Sequence, residues 1–308
     1  MNQPSIFVEQ ALVLNLESLA AEQYVIRLEA PECATSVAPG NFIQLQCDQT
    51  PYALKRPFSV MRANADAGWI EILFKVVGTG SAALAKARVG DRLQAMGPIG
   101  NGFELSTEEA IPLLIGGGVG IPPIVFFAEE LKKSQNKTAM VVMGSEIPFP
   151  FDLKSSQQSL AGMPDGIDTA MSLLEDINVP SRLSSKQGYA GCFDGYVHEL
   201  AEQWLAGIDS NEQHKIEVFA CGPTPMLQAV AEFCQRHQLK CQLSLEEHMA
   251  CAVGGCAGCN VLITEDGQQS MRRVCVDGPI FDAKLVYPQA LSLIHISEPT
   301  RRTPISYA

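Results

Sequence analysis

Four cysteines carry the most specific chemistry in this sequence. Cys251-Ala-Val-Gly-Gly-Cys256-Ala-Gly-Cys259 has C-x4-C-x2-C spacing, and Cys275 follows after 15 intervening residues. This is the plant-type spacing of a [2Fe–2S] site, which takes four thiolates. Gly254, Gly255 and Gly258 fit the same reading. A loop folded around a cluster must turn tightly and bring backbone N–H groups close to the sulfurs. Two other readings use the same residues and stay open on spacing alone. A structural zinc site with four cysteine ligands usually shows paired C-x2-C knuckles, and disulfides need an oxidising compartment.

A second constellation lies in the first hundred residues. Arg56-Pro57-Phe58-Ser59-Val60 sets a guanidinium, an aromatic ring and a hydroxyl side by side, and Gly78-Thr79-Gly80-Ser81 opens a predicted short helix, SAALAKA. Backbone N–H groups at such a turn point at an anion, and arginine makes bidentate contacts to phosphate oxygens. Either motif alone is a common strand or turn. Both together, about 20 residues apart on one small barrel, describe a pyrophosphate cradle beside a ring-stacking site.

A third begins with the apolar run Ile111-Pro112-Leu113-Leu114-Ile115, which ends in Gly116-Gly117-Gly118-Val119-Gly120-Ile121-Pro122-Pro123 and a helix, IVFFAEELKKS. An apolar run, then glycines, then a helix opens a nucleotide-binding α/β unit, although this is not the strict G-x-G-x-x-G fingerprint. Glu146 closes the next predicted strand, where a carboxylate binds ribose hydroxyls and repels a 2′-phosphate. The following IPFPFDL has no arginine to receive one, so the expected dinucleotide is NAD rather than NADP. Cys221-Gly222-Pro223 ends a further strand, and there the thiol either faces a nicotinamide ring or is a buried cysteine before a turn. His198, His214 and His237 read as solvated or capped side chains, while His248 lies three residues before Cys251.

The elements that must hold these residues change character along the chain. Short alternating strands up to about residue 103 (ALVLNLESL, YVIRLEA, NFIQLQC, FSVMRA, GWIEILFKVV, DRLQAMGP) indicate a small antiparallel barrel. From 104 to 240 strands alternate with helices: after Ile111–Ile115 come the strands TAMVVMG, DTAMSLL and KIEVFACGP and the helices YVHELAEQWL and PMLQAVAEFCQRH. That alternation means a parallel sheet with its site at the carboxyl edge. The polar stretches SSQQSLAGMPDG and NVPSRLSSKQGYAGCFDG read as surface connections. Residues 291–308, beginning LSLIHISEPTR, read as the translation of a sequencing-library adapter and are set aside from the fold.

Composition narrows the class. With 308 residues, 46% of them hydrophobic, the chain can bury two or three cores. The net charge of −12, without a basic run longer than a dipeptide, argues against nucleic acid or an anionic membrane surface as partner. No apolar segment reaches the ~18 residues of a membrane span and no leader pattern is present, so a cytoplasmic protein is expected. Six of the ten cysteines, Cys33, Cys47, Cys192, Cys221, Cys234 and Cys241, have no ligand spacing.

The order RPFSV, GTGS, GGGVGIPP, CGPTPM and SLEEHMACAVGGCAGC, with Cys275-Val-Asp-Gly-Pro, resembles the electron-transfer subunits of type B dihydroorotate dehydrogenases. These are members of the ferredoxin-reductase flavoprotein family, and the resemblance spans about residues 5–288. It implies a multidomain β and α/β architecture: an antiparallel FAD-binding barrel (1–103), an NAD-binding α/β domain with a parallel sheet (104–240) and a [2Fe–2S] domain (241–290). It also implies a partner subunit that carries FMN and oxidises dihydroorotate in pyrimidine biosynthesis, in a heterotetramer. By the same likeness Arg56 to Ser59, Leu73, Phe74, Lys75, Gly80 and Ser81 hold FAD, and the four cysteines hold the cluster. Ser81 stands where a threonine is common. The chemistry agrees: a cluster passes single electrons while NAD⁺ takes a hydride, and a flavin exchanges either. Other functions share these motifs. One is a ferredoxin-, sulfide- or hydrogenase-linked reductase subunit using NAD(P)H, and another is a non-catalytic iron–sulfur sensor or zinc-bound interaction module.

Overall fold

The computed structural model describes residues 5–47 and 54–288, so the adapter-like tail lies outside the described residues. The first sheet comprises β1 (Phe7–Leu19), β2 (Gln23–Glu29), β3 (Phe42–Leu45), β4 (Arg56–Ser59), β5 (Arg62–Asn64), β6 (Trp69–Lys75) and β7 (Arg92–Ile99). Its order is β4-β3-β7-β1-β2-β6-β5, with every pairing antiparallel. Two short helices, α1 (Pro31–Ser36) and α2 (Thr79–Leu84), join its strands. Side-chain alternation decides the fold in β1 and β2, where Val13, Ile26 and Leu28 are fully buried while their neighbours are not, whereas β3 and the middle of β6 are buried on both faces.

The second sheet is wound from β8 (Ile111–Gly117), α3 (Ile121–Gln135), β9 (Met140–Gly144), a hairpin of β10 (Leu153–Ser155) and β11 (Thr169–Met171), α4 (Ser172–Asp176) and β12 (Ser181–Ser184). It continues through α5 (Val197–Ala206), α6 (Ser210–Gln213), β13 (Ile216–Cys221), α7 (Thr224–Arg236) and β14 (Lys240–Ser244). The strand order is β12-β9-β8-β13-β14, all parallel. The central strands are almost wholly apolar, the buried Glu217 of β13 being the charged exception, because helices cover both faces. The last segment adds the hairpin β15 (Asn260–Glu265) and β16 (Gln268–Arg273), α8 (Val274–Asp277), β17 (Ile280–Asp282) and α9 (Ala283–Val286). β17 returns to the second sheet and pairs antiparallel with β14.

The expected architecture is present, with one correction in the α/β unit. DTAMSLL is not a strand of the parallel sheet: Thr169–Met171 pairs with β10 in a separate hairpin, and the residues after it form α4. The edge strand is Ser181-Arg182-Leu183-Ser184, which its polar composition disguised as a surface connection. All four residues are buried. Their polar groups are paired internally: Arg182 donates to the carbonyls of Ile167, Ser181 and Gln158, and the Ser181 hydroxyl accepts from the Met171 N–H. A buried strand tolerates polar residues when each is satisfied in this way.

The three units meet at Asn101, just past β7. Its backbone N–H donates to the Gly278 carbonyl at 2.7 Å, its side-chain amide donates to the Ile280 carbonyl at 3.0 Å, and its side-chain oxygen accepts from the Ile280 N–H at 2.9 Å. The adjacent Gly100 has φ +85°, and a methyl group there would collide with the Pro279 ring and the Gly278 carbonyl. Gly100→Ala is therefore expected to lower stability by about 1–3 kcal/mol. Gly90→Ala, also at positive φ (+96°) but facing open space, should cost less. Thermal unfolding of the two variants measures the difference, and equal losses would mean that the seam at Asn101 does not matter.

Candidate functional site

The strand carrying Arg56 to Ser59 and the Gly78–Ser81 turn do converge. A Cβ on Gly80 would lie 3.1 Å from Arg56 Nε, so the guanidinium lies against the turn. Arg56 Nη1 also donates to the Leu54 carbonyl at 2.6 Å, which fixes its direction. The Ser81 hydroxyl accepts from the N–H groups of Val77 (3.0 Å) and Gly78 (3.2 Å), and so closes the turn on itself. Phe58 packs edge-on against Phe74 (centroids 5.9 Å apart), which stacks on Tyr24 at 5.4 Å. The ring that ends β4 is thus braced from inside the barrel.

Next to these residues opens a cleft of about 530 Å³. One wall is Pro57, Phe58, Ser59, Leu73, Phe74 and Lys75. The other is Ser244 to Met249, the arm that leaves β14 and reaches Cys251 two residues later. A second cleft, of about 580 Å³, lies at the carboxyl edge of the parallel sheet. It is lined by Gly117, Gly118, Glu146, Tyr196, His198 and Pro223 among others. Lys75 and Val119 line both clefts, so the two spaces are contiguous.

The glycine-rich segment divides its work. Gly117 and Gly118 face the second cleft, while Gly116 and Gly120 are buried behind it. Gly120 lies so close to the Cys221 carbonyl that any side chain would displace β13. Cys221 and Gly222 are also buried, the thiol at 0% exposure, and only Pro223 of that trio lines a cleft. Burial and the nearby Glu246 carboxylate push the Cys221 thiol well above its ordinary pKa, against a hydrogen bond with Ser244. It stands just behind the first cleft, whose wall includes both those residues. Glu146 is exposed at the lip of the second cleft and accepts from Gln187 Nε2 at 3.3 Å.

The cluster loop brings its four thiols together as two close pairs, Cys251 with Cys256 (Sγ–Sγ 3.3 Å) and Cys259 with Cys275 (3.4 Å). All four are free thiols. Among the described residues no three or more His, Cys, Asp or Glu side chains converge as a single ion requires. Two pairs suit a two-iron cluster, with two thiolates for each iron. Backbone donors are aimed at the sulfurs: Cys256 N–H lies 3.4 Å from Cys251 Sγ, and Gly258 N–H lies 3.4 Å from Cys256 Sγ. The N–H groups of Val253, Cys256 and Gly255 lower the Cys251 pKa to about 7. Burial raises that of Cys275 to about 12. Ala252 (φ +53°) and Ala257 (φ +51°) are held in the left-handed region beside Gly254 (φ +80°). Such conformations cost of order 1–3 kcal/mol each and persist where a site demands them.

Several lining residues are not marked by any chemistry of their own in the sequence. Glu246 and the rest of the arm fall within the SLEEHM part of SLEEHMACAVGGCAGC, but no spacing rule marks them as cleft lining. The Tyr196 ring stacks on His198 at 5.9 Å in the second cleft, a face that the periodicity of α5 does not reveal. His248 lines the first cleft, whereas His237 pairs with Glu202 at 2.5 Å away from both.

Residues 246–287 match the family profile described as the iron–sulfur cluster binding domain of dihydroorotate dehydrogenase B, and residues 14–103 match the oxidoreductase FAD-binding domain. A protein of Caldanaerobacter subterraneus subsp. tengcongensis, named dihydroorotate dehydrogenase B (NAD(+)), electron transfer subunit, is 31% identical over 277 residues, which are 90% of this chain and 97% of that one. This chain belongs to that family. Another dihydroorotate dehydrogenase B electron transfer subunit, from Desulforamulus reducens, is 30% identical over 89% of the chain and 96% of its own length. Among solved structures, an NADH-dependent reduced ferredoxin-NADP oxidoreductase covers 92% of each chain at TM-score 0.73 and 21% identity. The ferredoxin reductase of carbazole 1,9a-dioxygenase covers 76% of this chain and 67% of its own at TM-score 0.58. The fold is therefore that of ferredoxin reductases. Among the described residues no helix is long and apolar enough to cross a membrane.

Glu246 offers a direct test of the first cleft. Glu246 is exposed at the opening, yet the protein around its carboxyl partly desolvates it and raises its pKa above the usual carboxylate range. A carboxyl whose folded-state pKa is raised loses stability as pH climbs through that range, because ionisation is easier in the unfolded chain. Glu246→Gln should match the wild type below about pH 4 and exceed its Tm increasingly toward neutrality. A Tm difference that stays flat between those limits would show that the carboxyl is fully solvated.

Proposed function

We propose that this chain passes electrons from an FMN-containing dihydroorotate dehydrogenase subunit to NAD⁺, working as the electron-transfer half of a heterotetramer in pyrimidine biosynthesis. One observation carries the reading: the first cleft is walled on one side by the barrel motif and on the other by the arm that becomes the cluster loop, and it opens into the dinucleotide cleft at Lys75 and Val119. The chain is an iron–sulfur flavoprotein oxidoreductase subunit. Bound FAD supplies exchange between single electrons and hydride, and the cluster supplies single-electron transfer.

The residues have separate tasks in this reading. Arg56 and the backbone of the Gly78–Ser81 turn receive the flavin's pyrophosphate, with Gly80 leaving room for the guanidinium and Ser81 holding the turn closed. Phe58, Ser59, Leu73, Phe74 and Lys75 frame the ring system, and Pro57 ends the strand that presents it. Gly117 and Gly118 admit the dinucleotide phosphates, while Gly116 and Gly120 hold the turn against α3 and β13. Glu146 receives ribose hydroxyls and disfavours a 2′-phosphate. Pro223 lines the dinucleotide cleft, while Cys221 and Gly222 lie buried behind it, the thiol backing the flavin–nicotinamide contact from within the protein. Cys251, Cys256, Cys259 and Cys275 ligate the cluster. The domain division at 103/104 and 240/241 follows these three tasks, with β17 binding the last unit back onto the second sheet.

The dinucleotide assignment predicts a clear preference for NADH in dye reduction. Comparable kcat/KM for NADH and NADPH would overturn it. Cys256 is the exposed member of the cysteine set, so Cys256→Ser removes a ligand without opening a core. NADH-dependent dye reduction should survive, and the [2Fe–2S] signal in electron paramagnetic resonance should be lost. Dihydroorotate-dependent NAD⁺ reduction in the reconstituted complex should fall by orders of magnitude. Full dihydroorotate activity without a cluster would refute the reading.

A further inference from the structure

Behind the cluster loop one cation is built into the backbone. Arg273, the last residue of β16, donates from Nη1 to the Gly254 carbonyl at 3.2 Å. Its Nε lies 3.6 Å from Asp277 Oδ2, the same oxygen that accepts from the Arg273 N–H at 2.7 Å. The guanidinium is thus anchored at both ends, although its side chain is 41% exposed. Gly254 lies in the loop between Cys251 and Cys256, and two residues further on the Cys256 N–H lies 3.4 Å from the Cys251 sulfur. The φ of Gly254 is +80°, and a Cβ there would press on Val276 at 2.6 Å. A backbone path therefore runs from Arg273 through Gly254 to the donor on the Cys251 sulfur.

We propose that Arg273 is a positioning residue that sets the reduction potential of the cluster by pinning the loop at Gly254, and so holding the Cys256 N–H on the Cys251 sulfur. The inference rests on the cluster reading above. Hydrogen bonds to the sulfurs stabilise the more negative, reduced state of an iron–sulfur cluster and raise its potential. A guanidinium that fixes the donor maintains that bond, and its link to Asp277 leaves little net charge to act through space. The effect accordingly travels by the backbone path, so it should persist in high salt, where exposed charges are screened.

The test is a redox titration followed by electron paramagnetic resonance on the full chain carrying its cluster, with iron and sulfide content measured in parallel. Arg273→Met removes the donor and keeps the bulk, and Arg273→Lys keeps the charge without the fork. At the potential where half of the wild-type cluster is reduced, the reduced-to-oxidised ratio in R273M should fall by about three- to tenfold, tenfold being 59 mV for one electron. R273K should fall less, in the same direction, and neither shift should vanish in high salt. Unchanged potential in iron-replete R273M overturns the proposal, as does a shift abolished by salt. If R273M does not take up iron, R273K decides, and a wild-type potential there overturns the proposal. A wild type without a [2Fe–2S] signal would instead fell the cluster reading, and this proposal with it.

Discussion

Asn101 is the point on which the arrangement depends. Its three hydrogen bonds to Gly278 and Ile280 fasten the strand that ends the barrel to the segment that follows the last cluster cysteine. Leu245 N–H donates to the Pro279 carbonyl at 2.9 Å, so the arm lining the first cleft is tied to the same segment. β17 begins at Ile280 and joins β14. Barrel, α/β sheet and cluster loop are therefore registered through four consecutive residues, 278–281. Without that seam the arm Ser244–Met249 would have no fixed distance from the barrel.

A chain of charges supports the seam from the far side. Arg27 pairs with Glu71 at 2.7 Å within the barrel, and Arg62 bridges Glu71 (3.5 Å) to Glu129 of α3 (2.8 Å). Exposed pairs of this kind contribute little singly, but Glu71 and Glu129 are largely buried, and the network reaches from the barrel to the helix behind the glycine turn. Burial keeps the Glu129 pKa raised even beside Arg62. Breaking one partner would thus leave a costly charge in the interface, which favours a fixed angle between barrel and α/β unit.

Legibility in the sequence followed locality. The cysteine spacing was readable because all ligands but one fall within nine residues, and the RPFS and GTGS motifs because each is a short run with its own chemistry. The parallel strands were readable where they are apolar, from Ile111 to Ile115 and from Ile216 to Cys221. SRLS was not, because its burial depends on tertiary partners such as Gln158, 24 residues away, and on pairing with the more distant β9. The cleft-lining role of Glu246 and the stacking of Tyr196 on His198 depend on tertiary placement, which no spacing encodes. The left-handed backbone of Ala252 and Ala257 was equally hidden, since alanine gives no hint of positive φ.

The sharing of Lys75 and Val119 by both clefts has a thermodynamic consequence. An occupant of one space that shifts Lys75 or Val119 changes the surface seen by an occupant of the other, and to that extent their affinities are coupled. Linkage requires the influence to be reciprocal: if a nucleotide tightens the hold on its neighbour by some factor, the neighbour tightens the hold on the nucleotide by the same factor. One lysine and one valine are thereby the residues through which the two binding equilibria meet.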